Sequence, residues 1–288
     1  MLKKIVITGA DGQLGKEIQQ LSTSYPGFEF VFTTRQEFPL DNPDNINRFI
    51  EEHQPHYFIN CAAYTAVDKA ESEKETAYKI NAEAPGIIAN ACKKTNARLI
   101  HISTDYVFNG LGKEPYKEND TTDPVNFYGA TKLEGEKRVM QFNPESIIIR
   151  TAWVYSVFGN NFVKTMLRLM KERDQINVVN DQVGTPTYAA DLAEVILHII
   201  SSGNWKTGIY HFSNEGKISW YDFAVAIKEF SGSSCKVNPI TTAAYPTPAR
   251  RPYYSVLDKT KIRQTFLIPI KDWKSSLSVF MERFKNQR

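Results

Sequence analysis

Ile5-Val-Ile-Thr-Gly9-Ala-Asp-Gly12-Gln-Leu-Gly15 places three glycines at intervals of three, after a hydrophobic strand and ahead of a helical pattern. Gly9 permits a tight turn, Gly12 lets the backbone approach a pyrophosphate, and Gly15 lets helix and strand pack closely. The helix that follows offers unpaired N–H groups to an anion. Strand before and helix after are both present, so a dinucleotide site is the reading, with a plain structural turn as the alternative. A P-loop is excluded. The residue five before Gly15 is Ala10, and Glu17 stands where Ser or Thr must bind Mg²⁺.

Outward from that turn, apolar β-branched runs alternate with helical patterns. Strands are expected over 4–8, 28–33, 56–60, 98–103 and 146–151, and helices over 14–22, 44–53, 75–95 and 128–142. Near-continuous apolar strands are covered on both faces. Their alternation with helices means βαβ units and a parallel sheet, with ligands at the carboxyl ends of its strands. The expected class is α/β, a Rossmann-type doubly wound parallel sheet with a smaller C-terminal substrate-binding part. Residues 1–152, plus interleaved later segments, form the dinucleotide-binding domain, and 153–288 mainly the second part. That part reads as helices over 161–173, 189–200, 219–230 and 271–285 and strands over 176–180 and 208–212. The four prolines of 238–252 make an irregular loop.

With 288 residues, 42% of them hydrophobic, the chain can bury a sizeable core. A net charge of +3 argues against nucleic acid as a partner. The charge is uneven, since residues 236–288 hold eleven Lys and Arg against three acids. No run approaches the roughly 18 apolar residues of a membrane helix, so no membrane partner is expected. The N-terminus reads as a strand and not a signal peptide. Cys61, Cys92 and Cys235 are odd in number and widely spaced, which points to a reducing, cytoplasmic setting without a zinc site.

At the tip of the second strand, Val31-Phe-Thr-Thr-Arg35 has no acid before Glu37 to hold a ribose 2′-hydroxyl. Thr34 and Arg35 suit a 2′-phosphate instead, which favours NADPH and leaves NADH open; Arg35 otherwise reads as a solvated loop arginine. Tyr128-Gly-Ala-Thr-Lys132 sets a phenol and an ammonium on one helical face. The fourth strand ends Ile100-His-Ile-Ser-Thr104-Asp105, delivering hydroxyls where active sites sit in such sheets. Reducing a ketone by hydride leaves an alkoxide that needs a proton. A phenol is a weak acid for neutral pH, and a nearby Lys⁺ is expected to lower its pKa. A surface tyrosine and lysine are the alternative.

Thr8-Gly9-x-x-Gly12-x-x-Gly15, Tyr128-x-x-x-Lys132 and Thr104 together resemble the extended short-chain dehydrogenase/reductases. Longer strings carry the likeness through the chain: residues 60–71, Ser103-Thr-Asp-Tyr-Val-Phe-Asn-Gly110, Tyr128-Gly-Ala-Thr-Lys-Leu-Glu-Gly-Glu136, Arg150-Thr-Ala-Trp-Val-Tyr155, 181–187 and 250–258. The resemblance implies that Asp11, Gly12, Gln13 and Leu14 line the pyrophosphate. Asp41 and Asn42 lie near the adenine, and Ala62, Ala63 and Tyr64 lie beside the cofactor. Tyr128 is the implied proton donor, Thr104 its tuning partner and Lys132 the ribose anchor. Thr104, Asp105 and Trp153 contact the sugar, unless Trp153 is a core residue. Val67 and Asp68 lie near the substrate, or Asp68 caps the helical run after it. Arg251 meets a substrate phosphate or makes a structural ion pair.

The implied reaction is NAD(P)H-dependent reduction of the C4 ketone of dTDP-4-dehydro-L-rhamnose to dTDP-L-rhamnose. Another nucleotide-sugar reductase or epimerase is the alternative, as is a non-catalytic regulatory homologue of a methionine adenosyltransferase. The inter-subunit cation site of some members does not map onto this chain. A divalent cation, and the choice between monomer and homodimer, stay open.

Overall fold

The structure, a computed structural model, describes residues 2–286. Strand β1 (Lys3–Thr8) is followed by α1 (Gln13–Leu21), β2 (Phe28–Thr33), α2 (Pro43–His53) and β3 (Tyr57–Asn60). Then come α3 (Lys74–Tyr78), α4 (Ala84–Lys94), β4 (Arg98–Thr104), α5 (Phe127–Phe142) and β5 (Ile147–Thr151). The second half holds β6 (Val154–Tyr155), α6 (Phe162–Glu172), β7 (Gln175–Val179), β8 (Val183–Gly184), β9 (Thr187–Tyr188) and α7 (Ala189–Ser201). It ends with β10 (Gly208–His211), β11 (Ile218–Ser219), α8 (Trp220–Ser231), β12 (Lys236–Ile240), α9 (Thr260–Phe266) and α10 (Trp273–Asn286).

The central sheet has the order β10-β5-β4-β3-β1-β2, and every pair in it is parallel. It is a doubly wound Rossmann-type sheet. From β1 the chain steps to β2 on one side and to β3 on the other. Strand order therefore reverses at the carboxyl end of β1, where a crevice must open. Alternate strand residues feed two cores. Ile5, Ile7, Ile59 and Ile149 face α1, α7 and α9. Val6, Phe58, Leu99 and Ile148 face α2, α4 and α5. A third core binds α6, α8 and α10.

Three expectations need correction. The helix expected over 75–95 is interrupted by a π-helical turn over Lys79–Glu83. Pro85, at the start of α4, has no N–H to give to the regular ladder. The widened turn lets Asn81 accept from the Tyr64 N–H at 2.8 Å and donate to the Tyr64 carbonyl at 3.0 Å, which fastens the loop after β3. Second, the expected loop over 238–252 begins with the end of β12, which pairs with β7. Pro239 is tolerated there because this is a two-stranded, edge-only sheet. Third, α9 was hidden by its shortness. The strand expected over 208–212 joins the central sheet as β10, parallel to β5.

The basic C-terminal segment also finds its partners inside the molecule. Arg251 pairs with Asp68, Lys259 and Arg263 with Glu215, Lys271 with Asp191 and Glu194, Lys274 with Glu229, and Arg283 with Glu17. Six basic side chains of the segment thus meet acids that lie outside it. No helix among the described residues is long and apolar enough to cross a membrane.

Candidate active site

A cleft of about 820 Å³ opens over the carboxyl ends of β1, β3, β4 and β5. One wall is the turn between β1 and α1. Gly9 sits at φ +68°, the left-handed region that glycine enters without cost. A methyl group on Gly15 would lie 2.3 Å from the Gly9 carbonyl oxygen, so only glycine allows α1 to approach β1 this closely. Gly15 thus shapes the turn from behind and does not line the cleft, whereas Gly9, Asp11, Gly12, Gln13 and Leu14 do. The N-terminus of α1 has no side-chain cap, which leaves its N–H groups for an anion.

The same wall continues through Thr34, Arg35 and Asp41 after β2, then Ala62, Ala63, Tyr64 and Val67 after β3. Glu37 turns away, its carboxylate accepting from the Thr34 N–H at 2.8 Å and the Thr34 hydroxyl at 2.9 Å. These bonds hold its pKa below the usual carboxylate value. They also place the exposed Arg35 at the turn's apex, with no ion-pair partner among the described residues. Asn42 takes a different part, since its side chain caps α2 by accepting from Asn45 N–H at 3.0 Å. The uncapped helix end, the glycine cradle and the free guanidinium together fit a dinucleotide that carries a 2′-phosphate.

The opposite wall brings Thr104, Asp105, Tyr128, Lys132 and Trp153 into the same cleft. Asn126 caps α5 by accepting from Gly129 N–H at 2.8 Å, and so aims Tyr128 from the helix's first turn. Burial pushes the Tyr128 phenol up to about 12, and the adjacent Thr104 hydroxyl opposes that rise by hydrogen bonding. Lys132 is nearly fully buried and donates from Nζ to the Ile102 carbonyl at 2.7 Å. Burial lowers it to about 8. Thr104 thus stands beside the phenol as its expected tuning partner, while the Lys132 ammonium is tied to the β4 backbone. Asp105, also buried, is raised to about 6 by desolvation, although the Thr104 hydroxyl donates to its Oδ1 at 3.0 Å.

Trp153 is half-buried at φ +48° and stacks on Trp220, ring centroids 3.5 Å apart. It lines the cleft and also packs at the edge of the buried Val107–Phe108–Leu133 cluster. Tyr106 and Trp220 also line the site, and Tyr106 packs edge-on against Tyr128 at 5.7 Å. Sequence reasoning missed both; Tyr106 could have been found from its place after Thr104, whereas Trp220 carries no local signal. Asp68 and Arg251 are paired at 2.8 Å, half-exposed and outside the cleft lining. Asp68 makes no side-chain cap, and accepts instead from Ala249 N–H at 3.1 Å. Gln13 donates to the Val154 carbonyl at 3.4 Å and accepts from Asn161 Nδ2 at 2.9 Å.

A family model described as the RmlD substrate binding domain matches residues 3–286. A dTDP-4-dehydrorhamnose reductase of Aggregatibacter actinomycetemcomitans is 43% identical over 286 residues, spanning 96% of this chain and 97% of its own. The solved structure of a dTDP-4-dehydrorhamnose reductase from Clostridium acetobutylicum superposes with a TM-score of 0.94 at 46% identity, covering 98% of this chain and 99% of that one. Another from Bacillus anthracis, in complex with NADP, gives 0.93 at 38% identity over the whole of both chains.

Proposed function

The chain belongs to the RmlD substrate binding domain family, and on that premise we propose that it is an NADPH-dependent reductase of the C4 ketone of dTDP-4-dehydro-L-rhamnose, yielding dTDP-L-rhamnose. The observation that carries this reading is that the glycine turn, Arg35 and the Thr104–Tyr128–Lys132 set all open into one cleft. The glycine turn between β1 and α1 would hold the cofactor, which when bound would supply the hydride. Arg35 takes the 2′-phosphate and Lys132 anchors the nicotinamide ribose. Thr104 hydrogen-bonds the ketone oxygen. Tyr128 gives its hydroxyl proton to that oxygen as it becomes negative, and the resulting phenolate is reprotonated from solvent. The raised phenol pKa keeps Tyr128 protonated, hence able to donate, at neutral pH. Trp153, stacked on Trp220, offers a flat apolar face to the sugar ring.

Val67, Thr104 and Asp105 complete the sugar's surroundings, and Ala62, Ala63 and Tyr64 those of the cofactor. We divide the chain at residue 152, with α7 and β10 returning to the first domain. The three free thiols suit a cytoplasmic setting.

Absorbance at the NADPH band, followed on adding dTDP-4-dehydrorhamnose and repeated with NADH, is the direct test. Rapid oxidation of NADPH is expected. Oxidation only with a different 4-keto nucleotide sugar would reassign the substrate. No oxidation with any such sugar would leave a cofactor-binding regulatory protein.

A further inference from the structure

Three strings far apart in the sequence meet in one buried cluster. Ser103 opens the first, Glu136 closes the second and Arg150 opens the third. Ser103 and Arg150 are register partners on β4 and β5, and Glu136 reaches both from α5. The Ser103 hydroxyl donates to Glu136 Oε1 at 2.5 Å. Arg150 grips both carboxylate oxygens, Nε to Oε1 at 2.9 Å and Nη2 to Oε2 at 2.7 Å. Its Nη1 donates to the Glu118 carbonyl at 3.3 Å, and the Phe108 ring lies 5.1 Å from the guanidinium carbon.

All three residues are buried. A buried ion pair costs desolvation that an apolar trio of the same volume would avoid, so its position is the clue to its use. Tyr128, Lys132 and Glu136 follow one another at intervals of four along α5 and share a face. Ser103 immediately precedes Thr104. The Ser103–Glu136 bond therefore ties the helix that carries Tyr128 to the strand end that carries Tyr128's hydroxyl neighbour.

We propose that Glu136 is a positioning residue for the reduction: pinned by Ser103 and Arg150, it sets where α5 holds Tyr128 against Thr104 and gives the buried Lys132 ammonium its anionic neighbour. This rests on the reductase reading above. Burial drives Lys132 down to about 8 and Glu136 opposes that fall. The other titratable groups around the lysine do not take over this part. His101 on β4 is kept neutral by burial and by Lys132 itself, and the Cys61 thiol beyond β3 is kept neutral by burial. Tyr128 on the same helix is neutral at pH 7. Asp105 acts on Tyr128, and the Arg150 cation on β5 is neutralised by Glu136. Since Glu136 raises the lysine's pKa, removing it lowers that value. The alkaline fall in activity then moves to lower pH.

The test is the pH profile of kcat in four proteins, each with its thermal melt. Wild type should lose activity as pH rises through about 8. Glu136→Gln/Arg150→Met removes the pair without stranding a charge. Its limb should move towards acid, because Glu136 and not Arg150 acts on the lysine, and its kcat should fall about tenfold to a hundredfold. Glu136→Asp keeps the charge, so its limb should return to the wild-type position even where kcat stays low. Ser103→Ala keeps the ion pair and should lower kcat about fivefold, the worth of one hydrogen bond, with the limb unmoved. A folded double variant with the wild-type limb overturns the proposal. If the double variant does not fold, wild-type kcat in both Ser103→Ala and Glu136→Asp overturns it instead. An inactive wild type refutes the reductase reading, a result distinct from either.

Discussion

The two walls of the cleft are built in opposite ways. The cofactor wall is drawn from three consecutive strand ends, Gly9 to Leu14 after β1, Thr34 to Asp41 after β2, and Cys61 to Val67 after β3, and it is held by close backbone approaches at Gly9 and Gly15. The opposite wall is mostly side chains gathered from afar: Thr104 and Tyr106 after β4, Tyr128 on α5, Trp153 after β5, and Trp220 on α8. A backbone wall is set by what fails to fit, so its sensitive positions are glycines. A side-chain wall is set by chemistry, and there the loss of one group is felt in turnover.

Tyr128→Phe probes the chemical wall most severely. The phenol's proton disappears while its ring and shape stay, so kcat should fall about 10²- to 10⁴-fold with NADPH affinity unchanged. Steady-state kinetics beside a fluorescence titration of NADPH will show it; turnover near the wild-type rate would remove Tyr128 from the mechanism. Gly15→Ala tests the backbone wall. Its methyl group meets the Gly9 carbonyl, a misfit that should weaken NADPH binding about ten- to a hundredfold. Unaltered affinity in the same titration would mean that the turn relaxes at little cost.

Arg35→Ala tests the one cationic side chain on which the cofactor wall's choice depends. NADPH should bind about tenfold more weakly and NADH equally well, because only the 2′-phosphate is lost as a partner. Equal losses for both cofactors would return Arg35 to a solvated loop residue. Arg251→Ala should do least. Its guanidinium is already spent on Asp68 near the surface, where such pairs contribute about 1 kcal/mol or less. The KM for the nucleotide sugar should change less than about fivefold, compared with Lys285→Ala as a surface control. A much larger change would show that the pair opens to meet a diphosphate.

The same contrast explains what could be read without the structure. Glycine spacing, the apolar strands and Tyr128-x-x-x-Lys132 are local patterns, and each turned out to line or shape the cleft. Asn42 and Asp68 were harder, because a short polar side chain beside a helix serves a cap, a ligand or an ion pair equally well. Asn42 became a cap and Asp68 the partner of Arg251. The place of the Lys132 ammonium was hidden for a similar reason. Helical spacing sets both groups on one face, but burial and the Ile102 carbonyl determine where the ammonium points.

By itself the sequence determined the parallel sheet, the glycine turn at its switch point and the identity of the phenol, the ammonium and the hydroxyl. Period-two and helical patterns, like turn chemistry, act over a few residues and are written in order along the chain. Only the tertiary structure decided that Trp220 backs Trp153, that the Lys132 ammonium is tied to the β4 backbone, that six basic side chains of the tail pair with acids of the same molecule, and that Ser103, Glu136 and Arg150 meet. Those outcomes depend on desolvation and on distances between residues far apart in the chain, and these exist only once the sheet has closed over them.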